Sequence, residues 1–195
     1  MLFRRAHIIR HVPVYSQYAL RHVRHETTKI PASKSGEYFN AEETEKQISL
    51  MQRDTRLAMS NQDYDHAVEV CEQLRTLVIE AYGEDNPILA STLNNLGLAH
   101  KGLGQFEKGA QMQAKAAQQY EACGMRNHDS TTTGLHNLGV CYKEHAQNSG
   151  TAAMERVMLL DQSTNCLREA LERREVAKAK LKYKENPQQS DEDAI

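Results

Sequence analysis

Apolar side chains recur along this sequence in steps of three and four. Ala67, Cys71, Leu74, Val78 and Ala81 form one such series, and Phe106, Ala110, Gln113, Ala117 and Tyr120 repeat its rhythm with smaller residues. On a helix of about 3.6 residues per turn, each series makes a single buried stripe. No segment alternates apolar and polar residues as a half-buried strand does, so the pattern predicts an all-α chain. The punctuation agrees. Residues 43–82 and 151–186 contain neither Gly nor Pro, and Pro87 is the one proline between 32 and 186. Gly83 suits a left-handed helix stop, Asn86 an N-cap, and Pro87 the first helical position, where its missing N–H costs nothing. Asn40 with Glu43 offers a capping box for the first helix, after a linker at 32–42. A long helix is expected over 161–184.

The helical segments repeat. Leu93-Asn-Asn-Leu-Gly97 returns as Leu135-His-Asn-Leu-Gly139, an offset of 42. The same offset carries Asn86 to His128, Lys101 to Lys143 and Tyr64 to Phe106, while Gly83 and Gly124 differ by 41. A helix pair per repeat is the physical reading, with each unit burying its apolar face against the next. Gly97 and Gly139 let the helices of a pair approach, and Leu96 and Leu138 fill the space between them.

The stretch Gly83-Glu-Asp-Asn-Pro-Ile-Leu-Ala-Ser-Thr-Leu-Asn-Asn-Leu-Gly-Leu-Ala-His100, followed by Gly104-Gln-Phe-Glu-Lys108, resembles the tetratricopeptide repeat of the kinesin-light-chain type. Asp63-Tyr64-Asp65-His66-Ala67 resembles the turn of an earlier repeat, although Asp54 and Thr55 stand where Leu and Gly are expected. Glu169-Ala-Leu-Glu-Arg-Arg-Glu175 resembles the end of a third. Repeats are thus expected over 43–82, 87–123 and 129–176 within a helical domain spanning 43–184, with an insertion near 148–159. The resemblance implies a short α-solenoid of about three helix pairs, its C-terminal end capped by the long helix. It also implies a concave groove lined by first helices, open to peptide segments or other protein subunits. Carried over residue by residue, that groove holds Gln52 and Arg56, then Asn94, Asn95, Leu98 and Lys101, then His136, Asn137, Val140 and Lys143. An Asn side chain both donates and accepts, so it can pair with a partner's backbone. The two lysines favour acidic groups. Alternatively, Asn95 and Asn137 satisfy neighbouring helix groups, and Lys101 and Lys143 are solvated charges.

Composition changes the picture at the ends. The chain has 195 residues and a formal net charge of −2, yet residues 1–31 hold six basic residues and one acid. The remainder is acidic. Arg4, Arg5, Arg10, Arg21 and Arg24 alternate with Leu2, Phe3, Ile8, Ile9, Val12 and Val14, and residues 1–25 contain no Asp or Glu. An arginine-rich, acid-free, amphipathic start has the form of a mitochondrial transit peptide, so a matrix location is expected. A basic arm that contacts RNA is the alternative. Residues 185–195 read as an acidic disordered tail.

Candidate chemistry is sparse. No run of about 18 apolar residues exists to span a membrane. Cys71, Cys123, Cys141 and Cys166 lack metal-ligand spacing and fall in helical stretches, where thiols behave as small hydrophobes. His7 and His11 sit four apart without a third ligand, and His100 and His136 lack a partnered nucleophile. There is no phosphate-cradling loop and no nucleophile elbow. The expectation is a protein with neither cofactor nor metal, not an enzyme: an interaction scaffold, as subunit or assembly factor of a mitochondrial complex. A component of a mitochondrial ribosome or RNA-processing particle is the runner-up, and a cytosolic kinesin-like cargo adaptor is a third option.

Overall fold

A computed structural model describes residues 41–148 and 150–185. The basic leader, residues 32–40 of the linker with the Asn40 cap, and the acidic tail after 185 lie outside the described residues. The described part is built of helices α1 (Ala41–Ser60), α2 (Tyr64–Tyr82), α3 (Pro87–Gly102), α4 (Phe106–Ala122), α5 (Asp129–Gln147) and α6 (Ala153–Glu185). Each helix packs on the next in sequence, and α3 also meets α5. The described residues are all-helical, packed in sequential pairs with a long final helix, an arrangement consistent with the expected short tetratricopeptide solenoid.

The 42-residue offset governs backbone geometry as well as sequence. In the α1–α2 turn the N–H groups of Asn61, Gln62 and Asp63 donate to the carbonyls of Leu57, Met59 and Ala58. Between α3 and α4 the N–H groups of Leu103, Gly104 and Gln105 donate to Ala99, Lys101 and His100. These are the same three bonds, shifted by one repeat. Both are Schellman closures, which need a residue with positive φ just past the helix end. Gly104 supplies it at +72°, and Gln62 takes the equivalent place at +61°. Gly83 also has positive φ, but its ψ of −175° is extended rather than left-handed.

Helix starts obey the offset too. Asn86 Oδ1 accepts from the Ile88 N–H at 2.8 Å, and His128 Nδ1 accepts from the Ser130 N–H at 3.2 Å. The imidazole thus replaces the amide as N-cap. Asp63 caps α2 by accepting from the His66 N–H.

Packing follows the stripes. Ala67, Cys71, Leu74, Val78 and Ala81 are all buried, as are Ala110, Gln113, Ala117 and Tyr120, while Phe106 is half-buried. Ile48, Leu74, Val78, Ile88, Leu89, Leu93 and Ala116 join the first four helices in one cluster. The glycines mark close crossings. A Cβ on Gly97 would lie 2.8 Å from Gln113 Cγ, and one on Gly139 would lie 2.8 Å from Leu167 Cγ. The equivalent contact in the first pair joins larger Thr55 to smaller Cys71, 3.8 Å apart. The sizes exchange across the crossing while the volume persists, so Thr55 fits where Gly was expected. Gly109, 42 residues after Ala67, is held 3.0 Å from the Gly97 carbonyl oxygen by the same measure.

The third pair is longer. Helix α5 runs on through Ala146, the position equivalent to Gly104, and ends at Gln147. The segment expected as an insertion at 148–159 is mainly the connection 148–152 and the first two turns of α6. That helix begins at Ala153 rather than near 161 and packs on α5 through Leu159, Ser163, Leu167 and Ala170. Ser163 Oγ donates to the Gly139 carbonyl at 2.7 Å.

Candidate functional site

The sequence places its groove residues on α1, α3 and α5, the first helix of each pair. Asn94, Asn95, Leu98, Lys101, His136, Asn137, Val140 and Gln52 are half-buried, whereas Arg56 and Lys143 are exposed. Half-burial is what a shallow groove requires: enough packing to hold a side chain, enough opening to offer its polar end.

Two cross-repeat contacts organise this surface. Asn137 Nδ2 donates to Asn94 Oδ1 at 3.1 Å, and Lys101 Nζ donates to Glu144 Oε1 at 3.4 Å. Both span 43 residues, one more than the repeat. The repeat offset aligns equivalent residues; touching residues on neighbouring first helices are displaced by one. Asn137 therefore serves its neighbouring repeat, the alternative role open to it from sequence. Lys101 has its charge partly balanced by Glu144 and is not an isolated cation. This exposed-side pair contributes little stability by itself. It orients the lysine.

His136 carries the strongest electrostatic signature of the expected residues. Burial lowers its pKa from the ordinary value of 6.5, and the cations Arg174 and Lys101 lower it further. Positive charge thus reaches His136 from two sides, from α3 and from the long α6. Arg174, exposed on α6, is a cation acting on His136 that repeat arithmetic could not find, because α6 is out of register with the earlier second helices. An imidazole kept neutral between two cations favours an anionic ligand, which relieves the repulsion.

Behind the groove, Gln113 Nε2 donates to the Asn94 carbonyl at 3.0 Å, while its Oε1 is buried without a donor among the described residues. Elsewhere Asp54 lies 3.2 Å from His66 Nε2, which gives the out-of-pattern aspartate a partner. A shallow recess at the α3–α4 turn, lined by Gly104, Phe106, Lys108, His145 and Asn148, lies apart from the groove residues. Phe106 stacks on His145 there, at 6.4 Å between centroids.

Chemically reactive groups are subdued. Cys71 and Cys141 are buried, and burial raises both thiols to about 11, so they stay protonated at neutral pH. Cys123 and Cys166 are half-buried and also raised by burial. All four are free thiols. Among the described residues no group of three or more His, Cys, Asp or Glu is placed to hold a metal ion. No described helix is long and apolar enough to cross a membrane.

The tetratricopeptide repeat family model matches residues 56–109, from the second half of α1 to the start of α4. No curated protein matches the chain. The matched segment contains the α1–α2 turn, all of α2 and α3, and the groove residues of α3. Repeats of this family point to a protein-interaction scaffold that binds peptide segments, and no catalytic family matches.

Proposed function

We propose that this protein is a non-catalytic scaffold of a mitochondrial matrix complex, a subunit or assembly factor that holds an acidic segment of a partner subunit along α3 and α5. The observation that carries the groove reading is that half-buried Asn94, Lys101, His136 and Asn137 lie on the adjacent first helices α3 and α5, where the charges of Lys101 and Arg174 act on His136. The Asn94–Asn137 pair lies along the same surface. An extended acidic segment satisfies both features: its carboxylates meet the cations, and its backbone meets the unfilled hydrogen-bonding capacity of Asn95 and Asn137. The 42-residue period and the Leu-Asn-Asn-Leu motif support a repeat subtype like that of kinesin light chains. The arginine-rich, acid-free first 25 residues support the matrix location.

Two measurements test this. Lys101→Glu combined with Arg174→Glu should remove the co-purifying acidic partner while leaving helicity unchanged. An unchanged partner set assigns the interaction to another face. A fluorescent fusion of residues 1–40 should enter mitochondria. If it stays cytosolic, the location is wrong, whatever the groove does.

A further inference from the structure

Each internal repeat boundary is a seam between the second helix of one pair and the first helix of the next, and the two seams use equivalent positions. At the α2–α3 seam, Ala99 is buried against Ala67 with Val68 beside it, and the Tyr64 ring lies over Gly102. At the α4–α5 seam, Cys141 is buried against Ala110 with Phe106 beside it, and Leu135 meets Ala117. Ala99 and Cys141, Val68 and Ala110, and Tyr64 and Phe106 are each 42 residues apart.

The same positions recur at both ends of the described array, and there they are open. On α1, Leu57 stands 42 residues before Ala99, yet it is 53% exposed where Ala99 and Cys141 are fully buried. On α6, three contacts fix the register. Ser163 Oγ reaches the Gly139 carbonyl as Gly109 approaches that of Gly97, Leu167 takes the place of Gln113, and buried Ala170 that of buried Ala116. Each is 54 residues on. By that offset Phe106, Ala110, Ala114 and Ala117 correspond to Leu160, Thr164, Arg168 and Leu171. All four are exposed, Leu160 at 42% and Leu171 at 59%.

A solenoid that terminates carries polar outer faces, whereas this chain carries leucines at the mating positions of both ends. We infer that copies of this chain stack head to tail, α1 of one copy on α6 of another, so that the repeat seam continues between molecules. Transposing the α4–α5 contacts onto that junction sets Leu57 against Leu160 and Thr164 of the neighbouring copy, and Met51 against its Leu171. The charges agree. Ala114 packs on the cluster that contains Leu138, and the junction places Arg168 and Asp54 at those two positions. Asp54, which stands where the repeat expects Leu, thus faces a cation. It meets His66 through one oxygen with half of its side chain exposed, and Arg168 donates to the neutral Asn165 amide at 3.4 Å, so both keep capacity for a charge-assisted bond. A second copy is the occupant because the junction reuses the positions by which the chain already packs on itself. One seam lies at the low end of interface sizes, below about 1,200 Å² in total, so the association is weak. Being heterologous, it builds rods or closed rings rather than symmetric dimers. The inference does not depend on the ligand of the groove.

The test weighs the full chain by sedimentation equilibrium from about 1 µM to 1 mM, the range in which so small an interface associates. The wild-type mass should rise with concentration to three copies or more. Leu57→Glu blocks the head and Leu171→Glu blocks the tail. Both sites are exposed, so circular dichroism should show unchanged helicity, and each variant alone should associate with itself at least tenfold more weakly. Mixed in equal amounts, the two variants should form a complex of two chains and no larger, because one intact tail meets one intact head. A wild-type chain that stays monomeric, or whose mass stops at two copies, overturns the inference. So does association that survives Leu57→Glu but not Leu171→Glu, which would assign the α6 face to a symmetric pair. Wild-type association in both variants, as from contacts of the basic leader, overturns it equally, and so does a mixture that forms no complex.

Discussion

The first two helix pairs and the third obey the same packing rule but close differently. In α1–α2 and α3–α4, a residue with positive φ, Gln62 or Gly104, ends the first helix and turns the chain at once. In α5–α6 the equivalent position is Ala146, the best helix former, and α5 continues past it. The partner helix then meets Gly139 through Ser163 and Leu167, whereas Gly97 meets Gln113. The counterpart of Gln113 in the third pair is thus displaced by twelve residues to Leu167. The third pair therefore differs from the others in both length and register, its second helix reaching the crossing twelve residues later. The consequence reaches the groove, because the shifted α6 sets Arg174 where its charge acts on His136.

The largest test of this contrast removes equivalent core leucines. Leu96 is fully buried, while Leu138 retains 7% exposure. Leu96→Ala should cost about 4 kcal/mol and Leu138→Ala about 2–3 kcal/mol in urea unfolding followed by helicity. Equal costs would show the third pair to be packed as tightly as the second.

A smaller effect probes the size exchange across the crossings. Gly97→Ala should cost about 1–3 kcal/mol, because its methyl group meets Gln113. In a Gln113→Cys background, which copies the partner that Thr55 finds in Cys71, that cost should fall by ~1 kcal/mol or more. A strictly additive double mutant would remove size compensation as the reason Thr55 is accommodated.

The pH dependence of the groove follows from His136. Its folded pKa lies below the ordinary 6.5, so folding opposes its protonation. Its contribution to stability is fully present above pH 6.5 and is lost as pH falls through the lowered folded pKa. His136→Gln should flatten the decline of thermal midpoint between pH 7.5 and 5. An unchanged decline would place the responsible group elsewhere.

The smallest expected change concerns the shared turn. Gln62→Gly should stabilise the protein by less than about 1 kcal/mol, since relief of the left-handed strain is offset by greater unfolded-state freedom. Gly104→Ala should destabilise by roughly 1–2 kcal/mol for the opposite reason. Opposite signs at positions 42 residues apart would confirm that the two turns are one structure; a loss in both would break the equivalence.

Much of the architecture was readable because it is local. The Asn86 and His128 caps, the Gly97 and Gly139 crossings, and the stripe from Ala67 to Ala81 follow from periodicity and backbone chemistry within one helix pair. Gly109 was within reach of the same arithmetic, because it repeats buried Ala67 at the common offset, although no motif singled it out. The groove was readable only in part. The offset names Lys101 and Lys143 as equivalents, but equivalence is not contact: Lys101 meets Glu144, and Lys143 stays exposed. Likewise Asp54, anomalous in sequence, has its partner in His66 on the facing helix.

The amino-acid order by itself determined the helical class, the 42-residue unit, the helix starts and the small residues at the crossings, because each depends on neighbours within a turn or two. Tertiary structure decided which side chains meet across repeats, where the long helix passes the body, and how Lys101 and Arg174 come to bear on His136. Those outcomes depend on the relative register of helices remote in sequence, and in the third pair that register is set by packing on Gly139 rather than by the repeat.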